Sequence, residues 1–197
     1  MSFDSVSKFE HEISNFYGSK YAVATDCCTH AIELCLRFTK VSHAYCPIYT
    51  YISIPFTFEK LNLQWKFIDS KWNDFYYVTD KIIDSAVYWK ENGYIQNTLM
   101  CLSFQFRKHL SLGRGGAILL DNEQDFIELK KLSYDGRLPD QPWSKQKIST
   151  LGYHYYMTPE TADLGLIKLK EAKNKKSKKW SYKDYPNLLE MPIFQSS

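Results

Sequence analysis

At 197 residues, 44% of them apolar and 24% charged, the chain can bury one core and has no apolar run long enough to span a bilayer. A net charge of +3, from 25 basic and 22 acidic residues, is too small to mark a nucleic-acid binder by itself. The five cysteines form no C-x-x-C pair and are odd in number, which argues against a disulfide framework and for a reducing compartment.

The opening MSFDSVSKFEHE carries no apolar signal core, so a cytoplasmic location is expected. Val6, Phe9, Ile13 and Phe16 recur at helical spacing, and Gly18 follows as a stop. Tyr21 to Thr25 reads as a short buried strand. Thr29 is the candidate cap of a helix carrying Ala31, Leu34, Cys35 and Phe38 on one face. Extended segments are expected at 44–46, 65–68, 81–84, 98–104 and 116–120, and helices at 53–61, 123–133 and 159–172. Pro159 suits a first helical turn. Residues 134–151 read as an irregular loop and 180–197 as an extended arm. Strands interleaved with helices predict an α/β domain with a mostly parallel sheet, whose ligands gather at the carboxyl ends of strands.

Two features have bland readings that outweigh the sharp ones. The lysine-rich tract from Lys168 to Lys179 has no interleaved aromatics and reads as a solvated helix face or tail, so no nucleic-acid partner is expected. Adjacent Cys27 and Cys28 read as small residues in a tight site, because no nearby ligand set completes a metal centre. No metal and no membrane partner are expected.

Three strand ends remain: 25–29, Asp84, and 103–108. A carbonyl cofactor such as pyridoxal phosphate needs an amine to hold its carbonyl carbon, a carboxylate against its ring nitrogen and an apolar cover on its ring. Its phosphate needs hydroxyls and free N–H groups at a helix start. Lys108, Asp84 and Tyr51 are candidates for the first three, and Thr29 and Ser103 for the phosphate. A lone lysine usually faces solvent and a lone aspartate usually caps a turn, so the weight rests on the combination.

In order and context the chain resembles the DegT/DnrJ/StrS family of sugar aminotransferases, fold-type I enzymes that use pyridoxal phosphate. FEHEISNFYGSKYAVATDCCTHAIELCL resembles the family's opening helix, strand and phosphate helix, and CPIYTYISIPFTF its P-x-x-T-aromatic segment. IIDSA is similar to its D-x-A motif, and SFQFRKHLSLGRGGAILL to its lysine loop, the most specific of these matches. KKLSYDGR and GYHYYMTPETADLGLIKL resemble two later segments, so the likeness runs from about residue 9 to 170. It implies a three-layer fold-type I transferase large domain over residues 1–172, truncated, with residues 173–197 as a tail or arm. By the same resemblance Lys108 would be the Schiff-base lysine and proton shuttle. Asp84 would pair with the ring nitrogen, Tyr51 would stack on the ring, and Cys28, Thr29 and Ser103 would hold the phosphate. His154 stands where the family's asparagine reaches the phosphate of a neighbouring subunit, which implies a homodimer with a shared site.

The departures are as specific as the matches. Cys27-Cys28-Thr29 replaces Ser-Gly-Thr, Val87 replaces a polar contact to the ring, and His154 and Tyr156 replace an asparagine and an arginine. Between Asp69 and Ile82 the family carries a further strand and helix, and after Lys170 a small domain. Two functions therefore stand side by side. One is an aminotransferase moving an amino group from glutamate to a keto nucleotide-sugar. The other is a reduced, non-catalytic relative that binds pyridoxal phosphate or a nucleotide-sugar, or acts as a scaffold.

Overall fold

The computed structural model describes residues 3–195. Its elements are α1 (Asp4–Tyr17), β1 (Tyr21–Thr25), α2 (Cys28–Thr39), β2 (His43–Pro47), α3 (Ser53–Lys60), β3 (Gln64–Ile68), β4 (Tyr76–Tyr77), β5 (Ile82–Asp84), β6 (Leu99–Ser103), β7 (Gly116–Leu120), α4 (Glu123–Ser133) and α5 (Pro159–Asn174). Short 3-10 turns at Tyr182–Asp184, Leu188–Glu190 and Pro192–Phe194 order the C-terminal arm.

Local chemistry sets the ends of these elements. Asn122 and Thr158 accept backbone N–H bonds as caps of α4 and α5, and Pro159 takes the first turn of α5. The expected Thr29 cap moves back two residues: extended Cys27 precedes α2, and the Thr29 hydroxyl instead pairs with Ser53 Oγ at 2.9 Å.

A central sheet in the order β1-β7-β6-β5-β4 lies between two helical layers. Strand alternation divides its side chains. Ala117 and Leu119 join Phe9, Ile13, Met100 and Leu169 in a core with α1 and α5. Ile118 and Leu120 join Ala31, Leu34, Cys101 and Leu129 in a second core with α2 and α4. The three-layer α/β architecture is therefore as expected. The mostly parallel sheet needs correction: β5–β6 and the separate β2–β3 pair are parallel, while β1–β7, β6–β7 and β4–β5 are antiparallel. For β4–β5 the short link is the reason. A parallel neighbour requires a crossover of roughly a dozen residues or more, and the short link from Tyr77 to Ile82 permits only a hairpin-like return from β4 to β5.

Candidate active site

Lys108 lies in the loop that leaves β6 and returns to β7. The loop is tied across its base by Phe104 N–H to Gly115 O (2.9 Å) and Leu112 N–H to Phe104 O (2.8 Å). Leu110 and Leu112 plug into the core beneath it. Gly113 adopts φ +83, a left-handed conformation that favours glycine, which explains the first glycine of the GRGG turn. Gly116 has a different reason: a Cβ there would stand 2.5 Å from the backbone of Cys27 and Cys28. The start of α2 thus packs directly on β7 and brings residues 27–29 to the site.

Asp84 ends β5 and is 6% exposed. Its Oδ2 accepts the Tyr76 hydroxyl at 2.5 Å and its Oδ1 the Ala86 N–H at 2.9 Å. With its proton directed at Asp84, Tyr76 must accept from Thr50, whose Oγ1 lies 2.6 Å away. Burial lifts the Asp84 carboxyl above its ordinary range, and these hydrogen bonds with the Lys108 charge pull it partly back. Burial lowers Lys108 below an ordinary lysine, opposed by the negative charge of Asp84. Cys28, buried at the first position of α2, has its thiol raised well above the usual range by burial and next by Asp84.

Two donors here are uncommitted. Among the described residues Lys108 Nζ has no hydrogen-bond partner, and neither does the buried Ser85 Oγ. Both line one cavity of about 10 Å³ with Val87, Ser103 and Trp180, room for about one water. A half-buried amine, a buried carboxylate that senses its charge, a helix start at Cys28 and an idle hydroxyl match a ligand with an electrophilic carbon, a basic ring nitrogen and an anionic tail. The donor set fits pyridoxal phosphate.

The room around that set is filled by the chain itself. Lys108 Nζ lies 5.7 Å from the centre of the Trp180 ring. From there rings follow in a row: Trp180–Tyr185 (6.4 Å), Tyr185–Trp72 (5.4 Å) and Trp72–Tyr76 (5.3 Å), ending at the phenol that caps Asp84. Burial, and next the Asp84 charge, push the Tyr185 phenol up.

The remaining sequence candidates are dispersed. Thr29 is half-buried on α2 and Ser103 lies beside Lys108. Tyr51 is 61% exposed, while Trp180 faces Lys108 and Tyr76 bonds Asp84, whose charge also reaches Tyr185. His154 is exposed and pairs with Asp135 Oδ2 at 2.9 Å, away from the Lys108 cavity. Sequence reading missed Tyr76, Thr50, Ser85, Trp180 and Tyr185. The Tyr76-Tyr77 doublet in an unusually short link was the one local signal.

Near Cys27, where the sequence offers no ligand set that completes a metal site, the fold brings three ligand groups together. Ligand atoms of Asp26, Cys27 and His30 lie within 4.8 Å of one another. The cluster is already neutralised: Asp26 bonds His30 Nδ1 and the Arg114 guanidinium, each at 2.7 Å. Burial opposes the His30 charge, but hydrogen bonds to Asp26 and Cys27 outweigh it and raise the imidazole to about 9. With those cations and a helix N-terminus alongside, a metal ion gains little there.

The model of the DegT/DnrJ/EryC1/StrS aminotransferase family matches residues 1–96 and 90–191. No curated protein matches the chain significantly. Among solved structures, AtS13 from Actinomadura melliaura aligns with TM-score 0.77 and 16% identity over 88% of this chain and 61% of its own. The PLP form of Spr1654 from Streptococcus pneumoniae aligns with TM-score 0.72 and 18% identity over 86% and 59%. Helicobacter pylori PseC, an aminotransferase involved in the biosynthesis of pseudoaminic acid, aligns with TM-score 0.71 and 14% identity over 86% and 58%. At these identities the likeness shows the fold. The chain spans about three fifths of the length of each.

Proposed function

The chain belongs to the DegT/DnrJ/EryC1/StrS aminotransferase family, and we propose that its Lys108–Asp84 cleft binds pyridoxal phosphate for amino transfer. The observation that carries this reading is the pairing of a half-buried, uncommitted amine with a buried carboxylate at the carboxyl ends of parallel neighbours β5 and β6. When bound, the cofactor supplies an aldehyde carbon open to amines and a protonated ring that withdraws electrons.

The residues act as follows. Burial keeps a larger share of Lys108 unprotonated than in an exposed lysine, so its Nζ can attack a carbonyl carbon and carry a proton to or from a neighbouring carbon. Asp84 holds negative charge in a dry setting and binds a ring N–H. The Tyr76 hydroxyl, its present donor, can turn to Thr50 to release that oxygen. Backbone N–H groups at Cys28 and Thr29, with the Ser103 hydroxyl, form the anion end. Ala86 and Val87 form an apolar floor that keeps water from the amine. The finer reading takes glutamate as amino donor and a keto nucleotide-sugar as acceptor. A homodimer, with His154 of each protomer facing the other's anion end, belongs to that reading, as does a cytoplasmic location. Among the described residues no helix is long and apolar enough to cross a membrane.

A second reading, a non-catalytic relative that binds the cofactor or a nucleotide-sugar or acts as a scaffold, is favoured by the aromatic filling of the cleft. An absorbance titration with pyridoxal phosphate, followed by glutamate, separates the two. An enzyme develops a saturable long-wavelength band that Lys108→Ala lacks, and glutamate shifts that band. A band that ignores every amino donor selects the non-catalytic reading. A titration identical in wild type and Lys108→Ala refutes both as far as the cofactor is concerned.

A further inference from the structure

The lysine tract after α5 opens onto an arm that the sequence left without a task. We propose that this arm, Trp180 to Phe194, is an internal cover that masks Lys108 and competes with any carbonyl ligand for the cleft. The inference rests on the reading of the Lys108–Asp84 cleft as the ligand site.

The arm is seated by specific contacts on both sides of that cleft. At one end Trp180 O accepts the Asp74 N–H at 2.8 Å, and Tyr182 N–H donates to Trp72 O at 3.1 Å. In the middle Leu188 N–H donates to Ile48 O at 2.8 Å, and the Leu188 side chain is fully buried. At the far end Phe194 packs edge-on to Phe67 at 5.1 Å, in reach of Trp65 and Phe56. Between these anchors Trp180 faces Lys108, and Tyr185 lies where the Asp84 charge reaches its phenol. Aromatic rings thus bridge the amine and the carboxylate, the two groups that a planar ligand ring would have to bridge.

The seat is reversible by construction. Trp180 and Tyr185 are each only half-buried. The link back to α5, residues 175–179, is Lys-Lys-Ser-Lys-Lys, mostly exposed, and its ion pairs to Asp184 and Asp74 involve exposed lysines that stabilise little. A ligand taken up only by the uncovered fraction binds with an apparent affinity lowered by that fraction.

The test uses the full chain and a probe that does not depend on the cofactor. Wild type, Trp180→Ala and Tyr185→Ala are labelled with trinitrobenzenesulfonate, and mass spectrometry follows Lys108 relative to exposed Lys147. Lys130, whose side chain is 12% exposed in its ion pair with Glu10, serves as the folding sentinel. Expected is a rise of about tenfold in Lys108 labelling in either variant with Lys130 still protected, and a matching gain in pyridoxal phosphate affinity. If a variant exposes Lys130, Trp180→Leu is read in its place. Unchanged Lys108 labelling in folded variants overturns the proposal. Unmasked Lys108 that takes up no pyridoxal phosphate upholds the cover and refutes the cofactor reading instead.

Discussion

Asp84 concentrates the cost of the site in one side chain. Its carboxyl is buried, and its folded-state proton affinity exceeds that of an exposed carboxylate. The folded chain therefore holds this proton to higher pH than the unfolded chain does. Its stabilising effect is complete below about pH 3.9 and is lost as pH rises through the raised folded value. Asp84→Asn should match wild type near pH 4 and exceed it at neutral pH by about 1–2 kcal/mol, a few degrees in Tm. The amide can donate to Tyr76, whose hydroxyl then turns to Thr50. Cofactor binding should weaken in the same variant. Thermal melts across pH 4–8 check the first outcome, and lower stability at pH 7 would contradict it. Lys108 and Asp84 were legible because each follows an apolar strand in a local motif. Tyr76, Trp180 and Tyr185 were not. Their roles depend on a row of rings assembled from residues about a hundred positions apart, and no local spacing encodes that.

At the scale of elements, the junction between β7 and α2 positions the proposed anion end of the cleft. Gly116→Ala would drive a methyl into the backbone of Cys27 and Cys28. It should cost about 1–3 kcal/mol, seen as a lower denaturation midpoint, and weaken pyridoxal phosphate binding beyond that stability loss. An unchanged midpoint would show that α2 does not rest on β7 as tightly as described. The positions of most helices and strands could be read from periodicity and end signals, as at Gly18 and Pro159. The direction of strand pairing could not. Only for β4–β5 does a short link force the antiparallel return; β1–β7 joins strands about ninety residues apart, which no local spacing encodes.

The whole molecule has a three-layer transferase fold, with the proposed cleft at Lys108 and Asp84 and the C-terminal arm packed against it. The arm's ring contacts put cover and site in one chain. The central claim is that Lys108 is the covalent anchor of the cleft. The most direct measurement is borohydride reduction of the protein with stoichiometric pyridoxal phosphate, followed by peptide mapping. The account predicts one labelled peptide, carrying the cofactor on Lys108, in wild type and more abundantly in Trp180→Ala, and none in Lys108→Ala. Label spread over the exposed Lys175, Lys176, Lys178 and Lys179, and unchanged in Lys108→Ala, would contradict it.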